Sequence, residues 1–271
     1  MRLPQKTQAP DSPAPTTPKD AVRANGYTMD NSFMVGLSAQ RMLQDRMDTT
    51  ANNLANLTTA GFKAEALVMR KLSEKPAMAK DIPNEIDFVD AWQLQRDFST
   101  GPMEQTGNPL DMAIEGEGFF VVQTPKGEAY TRDGRFTVDP AGQIVTASGE
   151  LVMGSGGPIS VDASGGPLSV SREGSIEQDG AQIGTIKTVA FDTPGALEKM
   201  GGNLWRATGE SPRPPVNSHV SSGFVEGSNV NAVVQLTDMI EISRAYAAVS
   251  NMISTQDELR GASIEKLSRV G

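Results

Sequence analysis

The sequence predicts an α+β chain, with an N-terminal and a C-terminal helix paired as a coiled coil and a β-rich middle domain between them. Three observations carry this. Residues 231–268 hold Met239, Ile242, Tyr246, Val249 and Ile253 at successive spacings of 3, 4, 3 and 4, the period of a coiled-coil seam. Residues 32–58 place Met34, Leu37, Leu43, Met47, Ala51 and Leu54 close to one helical face. Between them, residues 111–204 carry short apolar stretches broken by Gly, Pro and Asp-Gly, the pattern of short strands and tight turns.

Composition sets the frame for these elements. A chain of 271 residues has room for one or two domains with a real core. Aromatic residues are only 5% of it, so the core is aliphatic and Met-filled. With 27 Gly and 17 Pro, turns are frequent. The net charge is −9, and Lys and Arg form no cluster. That argues against nucleic-acid binding, which needs clustered cations to displace counterions from phosphates. The chain has no cysteine, which excludes disulfides, thiolate catalysis and Cys-ligated zinc. No apolar run reaches the roughly 18 residues that span a bilayer, so no membrane insertion is expected. The N-terminus lacks the apolar region of a secretory signal, so work outside the cytoplasm requires another export route.

Each element has its own justification. Residues 1–28 contain Pro4, Pro10, Pro13, Pro15 and Pro18 among polar residues and read as a disordered tail, either a linker, an export-related segment, or the product of an upstream start codon, with Met29 as the natural start. Residues 29–72 form the N-terminal helical segment. Its helix at 32–58 places Gln40, Arg41, Asp45, Arg46 and Asp48 opposite the apolar face, and Ala60-Gly61 supplies the stop. Phe62 to Leu72 either extends that helix or forms an extended arm. Residues 73–110 form an extended connecting segment.

Residues 111–204 form the β-rich domain, read as a compact antiparallel sandwich or barrel-like fold. Its strand-like stretches are Ala113-Ile114, Phe119–Val122, Tyr130-Thr131, Phe136–Val138, Ile144-Val145, Leu151–Met153, Ile159–Val161, Leu168–Val170 and Ile186–Phe191. Asp133-Gly134 signals a hairpin turn between Tyr130-Thr131 and Phe136–Val138, and Pro140-Ala141-Gly142 is the next turn. Residues 205–228 return the chain. Residues 229–271 form the C-terminal helix, with Asn231 as N-cap and a length of about 55 Å. An apolar stripe on each terminal helix must be buried. The C-terminal helix is too long for its stripe to pack on the β domain alone, which favours pairing. A stripe left partly unmatched is an assembly surface, and head-to-tail contacts with a non-closing rotation give a helical filament.

The chemistry-bearing residues offer no catalytic constellation. His219 is the single histidine and lies in a Pro-flanked loop, so a His triad or multi-His metal site is excluded. Gly116-Glu117-Gly118 lacks the third glycine of a dinucleotide loop, and Gly154–Gly157 lacks the Lys-Ser/Thr of a P-loop. Glu115 and Glu117 share a strand face, as do Asp133 and Arg135, without the pocket an acid–base pair requires. Asp133 and Asp139 do not fit a Ca²⁺ loop. No catalytic, cofactor-binding or metal-binding residue, no cofactor and no small-molecule substrate is expected.

Three segments then resemble the flagellar basal-body rod and hook family. They are Ala51-Asn52-Asn53-Leu54-Ala55-Asn56 with Thr59-Ala60-Gly61-Phe62-Lys63; Gly107 to Phe120 with Tyr130-Thr131-Arg132-Asp133-Gly134-Arg135-Phe136; and Gly227-Ser228-Asn229-Val230-Asn231 with Met239-Ile240-Glu241 and Arg244-Ala245-Tyr246. The likeness covers about residues 29–271. Met29–Ser32, Gly36-Leu37-Ser38 and Arg96–Pro102 are most similar to the proximal-rod branch, with the distal-rod branch close behind. The resemblance implies a structural subunit rather than an enzyme, located in the periplasm-spanning rod. It implies export through the flagellar type III apparatus, with copies of the chain and other rod proteins as partners, and terminal helices that order on assembly. Packed helices would form the inner tube and β domains would stack outside to transmit torque. The expected assembly interface sets Leu37, Leu43, Met47 and Leu54 against Met239, Ile242, Tyr246, Val249 and Ile253. Asn52, Asn53 and Asn56 bond to backbone or a neighbouring helix, Phe62 anchors in an adjacent groove, and Asn229 and Asn231 launch the long helix.

Overall fold

The computed structural model describes residues 18–69, 92–162 and 164–268. They fall into two compact units, Met1–Gln44 with Ile242–Gly271, and Asp45–Glu241. An N-terminal helix, a β-rich middle and a C-terminal helix follow one another along the chain, as expected.

The first unit contains parts of helix α1 (Pro18–Ala55) and helix α2 (Ala232–Ser268). Helix α1 begins within the stretch read as a tail. Pro18 is the last proline of that run and is tolerated in a first helical turn, where its missing N–H would have no partner anyway. Residues 1–17 lie outside the described residues. In α1 the less exposed residues of this unit include Phe33, Gly36, Gln40 and Leu43, stepping by 3, 4 and 3. Met34 and Leu37 are 50% and 49% exposed. The covered face thus keeps Leu43 of the one hydropathy selects but not Met34 or Leu37, and Gln40 lies on it rather than opposite. Gly36 faces α2 closely: a Cβ there would sit 3.1 Å from the Ile253 side chain. On α2, Ile242, Tyr246, Val249, Ile253, Gln256 and Arg260 are covered or half-covered, stepping by 4, 3, 4, 3 and 4. The Gln40 amide donates to the Tyr246 hydroxyl at 2.8 Å, and the Arg260 guanidinium stands 5.7 Å from the centre of the Phe33 ring.

The second unit opens with the last turns of α1. That helix ends at Ala55, where the Asn56 N–H reaches the carbonyls of Asn52 and Asn53 at 3.2 and 3.1 Å. Gly61 is therefore not the helix stop. It has φ +67°, and a Cβ there would lie 2.4 Å from the Asp133 nitrogen, so glycine is required by a backbone crossing. Beyond it the chain is extended. Strand β1 (Glu65–Met69) pairs antiparallel with β2 (Trp92–Arg96), Glu65 opposite Arg96. The arm reading of Phe62–Leu72 holds through Met69, and the first part of the connecting segment lies outside the described residues.

The middle is antiparallel throughout its described strand pairs. Short strands β3 (Met103–Gln105) and β4 (Met112–Glu115) pair with β18 (Phe224–Glu226) and β17 (His219–Ser222) near the end of the middle. The largest sheet contains β5 (Phe119–Thr124), β6 (Gly127–Thr131), β7 (Phe136–Val138), β8 (Ile144–Thr146), β9 (Leu151–Gly154) and β10 (Gly157–Pro158), joined by β14 (Thr188–Val189), β15 (Glu198–Gly201) and β16 (Leu204–Arg206). Strands β11 (Leu168–Val170), β12 (Ser175–Gln178) and β13 (Ala181–Thr185) form a separate three-stranded sheet. Strand β5 explains the unbroken Phe-Phe-Val-Val run. Phe120 and Val122 enter one core cluster, with Met112, Ile114, Phe136 and Ile144, while Phe119 and Val121 enter a second with Tyr130, Phe191 and Trp205. Alternate side chains point to opposite faces, and here both faces are covered.

Two turn readings fared differently. Pro140-Ala141-Gly142 does join β7 to β8, with Val138 opposite Ile144. Asp133-Gly134 does not join β6 to β7 as a hairpin. Strand β6 pairs instead with β5 through Pro125-Lys126 and with β16. After Thr131 the chain turns to Met112, whose N–H reaches the Gly134 carbonyl at 2.9 Å, and Asp111 bridges Arg135. Tertiary contact at Gly134 overrode the local turn signal. Helix α2 starts as read from the sequence: the Asn231 carboxamide oxygen accepts from the Val233 and Val234 N–H groups at 3.0 and 3.3 Å, an N-cap geometry. His219 lies in β17, not in a loop. Among the described residues no helix is long and apolar enough to cross a membrane.

Candidate functional site

The most concentrated chemistry in the second unit is a buried polar joint where the three motif segments meet. Each arrives for a local reason. The N-terminal motif leaves α1 at Ala55 and turns through Gly61, which delivers Phe62, Lys63 and Glu65 into the interior. Arg132 follows β6, and Glu226 closes β18 immediately before the turn into α2. Lys63 and Glu226 are both fully covered at their side chains, 2.6 Å apart, and Arg132 pairs with the second carboxylate oxygen at 3.1 Å. Backbone groups supply further partners, although the buried Arg132 Nε has none. Lys63 donates to the Ser99 carbonyl at 2.6 Å, Arg132 donates to the carbonyls of Ile114 and Gly116 at 3.2 and 2.7 Å, and the Gly101 N–H donates to Glu226 at 2.9 Å.

Electrostatics set the character of this triad. Burial pushes the Lys63 ammonium below the ordinary lysine range, against the pull of Glu226, and Arg132 repels it further. Burial likewise lowers Arg132, with Glu226 opposing. Burial thus opposes the charged form of both cations, and Glu226 opposes burial.

A second cluster lies beside it. The Glu65 carboxylate receives Arg96 at 3.2 Å and Lys199 at 3.1 Å. Lys199 also stands 5.1 Å from the centre of the Phe62 ring, and Arg96 stands 5.1 Å from that of Trp205. Trp205 meets Phe98 edge-on at 5.2 Å. Asn203, held at φ +58°, donates to the Ala60 carbonyl at 3.0 Å.

Two asparagines stitch the segments together. Asn53 is buried; its amide donates to the Glu65 carbonyl at 2.7 Å and to Gln235 of α2 at 3.0 Å, and its oxygen accepts from the Glu65 N–H at 2.9 Å. Asn229 accepts from the Ala64 N–H at 2.7 Å and donates to the Asp97 carbonyl at 2.8 Å. Replacing Asn53 by alanine is expected to cost about 1–3 kcal/mol, because both backbone groups of Glu65 lose a partner in a buried site. Urea unfolding of the purified chain measures it, and an unchanged midpoint would reject the role.

The predicted interface residues divide between these surroundings and the helices. Asn53 and Phe62 are buried inside the chain, and Asn229 spends its amide there as well. Phe62 therefore anchors the chain's own joint. Asn56 bonds back to Asn52, which is exposed, and Asn231 is exposed as a cap. Leu43 and Ile242 are buried, Met47, Leu54, Met239, Tyr246, Val249 and Ile253 are half-covered, and Leu37 is open. Sequence reasoning placed Lys63, Arg132 and Arg96 inside its motifs without a role, and it missed Glu226, Glu65 and Lys199. No motif contains the last three, and periodicity says nothing about a buried charge.

The residues weighed for catalysis have the following surroundings. Gly116-Glu117-Gly118 forms one wall of a cleft of about 460 Å³ shared with Phe98, Phe119 and Arg213. Glu117 there is paired with Arg213 at 2.8 Å, Glu115 accepts from Ser221, and Asp133 pairs with Arg135 at 2.7 Å. Among the described residues no group of three or more His, Asp or Glu is placed to hold a metal ion.

The chain's sequence is similar to those of known proteins. Residues 33–63 match the family described as flagella basal body rod protein, residues 113–178 the flagellar hook protein FlgE/F/G D1 domain, and residues 221–266 the flagellar basal body rod FlgEFG protein C-terminal region. The chain is 41% identical to the flagellar basal-body rod protein FlgF of Caulobacter vibrioides, over 89% of this chain and 100% of the relative. It is 33% identical to FlgF of Escherichia coli, over 89% and 99%, and 31% identical to the flagellar basal-body rod protein FlgG of Bacillus subtilis, over 85% and 97%.

Proposed function

The chain belongs to the flagellar basal-body rod protein family, as a structural subunit and not an enzyme, and from that premise we propose that it builds the proximal rod by pairing its terminal helices as a coiled coil and packing them against neighbouring subunits. It works in the flagellar basal body, assembled with other rod proteins. The FlgF-like reading has the best support, because FlgF of Caulobacter vibrioides is 41% identical where FlgG of Bacillus subtilis is 31%. Copies of the chain itself are its neighbours along the rod, and the flagellar type III export apparatus delivers it.

The observation that carries the reading is the joint. A part that transmits torque needs its incoming and outgoing chain segments held in one arrangement, and the Lys63–Glu226–Arg132 triad, with Asn53 and Asn229, ties them by buried and half-buried polar contacts. The 3 and 4 spacing of the less exposed positions on each helix supports pairing. The open Met34, Leu37, Ile240 and Met252 side chains are left for neighbours.

Basal bodies purified from the parent strain and from one lacking this gene test the proposal. Co-purification of the chain, with rods truncated in its absence, supports it, and the truncation point separates proximal from distal. Intact rods without it would remove it. Val249→Asp is expected to abolish assembly and motility while the protein still accumulates, since the carboxylate would enter a helix seam without a partner. Normal swimming of that strain would reject the seam.

A further inference from the structure

We infer that the hydrogen bond between Gln40 and Tyr246 sets the register in which the two terminal helices pair. The inference rests on the coiled-coil reading above and adds to it the residues that choose one alignment among several. In the first unit three contacts run in antiparallel order: Phe33 with Arg260, Gly36 with Ile253, and Gln40 with Tyr246. The seam is otherwise degenerate. A repeat of 3 and 4 matches itself when one helix slides by a heptad, and the apolar side chains along it distinguish such alignments only weakly.

Gln40 and Tyr246 remove that degeneracy. In the observed alignment their polar ends meet at 2.8 Å on a half-covered stripe. Slide α2 by seven residues in either direction and Gln40 faces Met239 or Ile253, while Tyr246 faces Phe33 or Met47. The amide and the hydroxyl would then lose each other and face apolar side chains on a half-covered stripe, which weighs against those alignments. A single polar position serving this purpose at a stability cost is a known device of helix pairs. Gly36 cooperates, because only one alignment sets Ile253 against the space it leaves.

The absence of cysteine makes the test direct. One pair, Gly36→Cys with Ile253→Cys, reports the observed alignment. A second, Gly36→Cys with Arg260→Cys, reports the alignment shifted by one heptad. Both are placed in the full-length chain, with and without Gln40→Leu and Tyr246→Phe, and oxidised in assembled rods and in the purified protein. The expected result is the first cross-link alone in the parent background, with the shifted cross-link rising about tenfold in the apolar background, the change that loss of one good hydrogen bond produces. An unchanged cross-link pattern in the apolar background would overturn the register role and leave pairing intact. Absence of the first cross-link from the parent in both preparations would overturn pairing itself, and the register inference with it.

Discussion

Replacing Glu226 by alanine is expected to destabilise the middle of the chain by roughly 3–5 kcal/mol, the usual penalty for removing one member of a buried ion pair. The substitution leaves the Lys63 ammonium with the Ser99 carbonyl and the Arg132 guanidinium with the carbonyls of Ile114 and Gly116. Two cations then share a site closed to water, and the Gly101 N–H loses its acceptor. Domains of ordinary stability hold about 5–15 kcal/mol in total, so the loss is a large share. A double-mutant cycle identifies its source. If the cost comes from a stranded charge, Lys63→Met on the Glu226→Ala background adds less than Lys63→Met does alone, because the stranded ammonium is removed with its solvation penalty. Additive urea midpoints would show that the triad does not act as a unit.

Much of the architecture was legible, and the misses have identifiable physical causes. The existence of both helices followed from apolar periodicity, and the start of α2 from the capping chemistry of Asn231, which depends on the next three residues alone. The turn at Pro140–Gly142 is local in the same sense. The Asp133-Gly134 turn is not. Its dipeptide favours a hairpin, but Met112, more than twenty positions earlier, claims the Gly134 carbonyl. Of the apolar face read for α1, Leu43, Met47 and Leu54 are covered or half-covered while Met34 and Leu37 are open, and the covered Gly36 and Gln40 carry no hydropathy signal. Of the joint, the motifs contained Lys63 and Arg132 but not Glu226. Lys63, Arg132 and Glu226 are among the most polar residues of the chain, and every composition rule places such residues at the surface. Their burial depends on meeting one another, which is a property of the fold and not of any window of sequence.

Gly134→Ala is the second substitution with a large expected effect, about 3 kcal/mol or more. The reason is space and not backbone conformation, since Gly134 does not occupy the left-handed region. A methyl group there would lie 1.6 Å from the Met112 carbonyl oxygen, 2.7 Å from its carbon and 3.1 Å from the Phe120 ring. Both neighbours are fully buried, so neither can swing into solvent. To admit the methyl, the chain must part the 110–112 segment from residues 134–136, breaking the Met112 to Gly134 hydrogen bond and the bridge between Asp111 and Arg135. Arg132, two residues upstream, would then lose its placement against Glu226. Gly156 supplies the control: nothing lies within 4 Å of a Cβ at that position and its φ is not in the left-handed region, so Gly156→Ala is expected to be neutral or slightly stabilising through the unfolded state. Thermal and urea unfolding of the two variants in parallel decide the matter. Stabilities within about 0.5 kcal/mol of each other, the range of harmless surface changes, would mean that the backbone crossing at Gly134 yields at little cost and does not govern the path from β6 to β7.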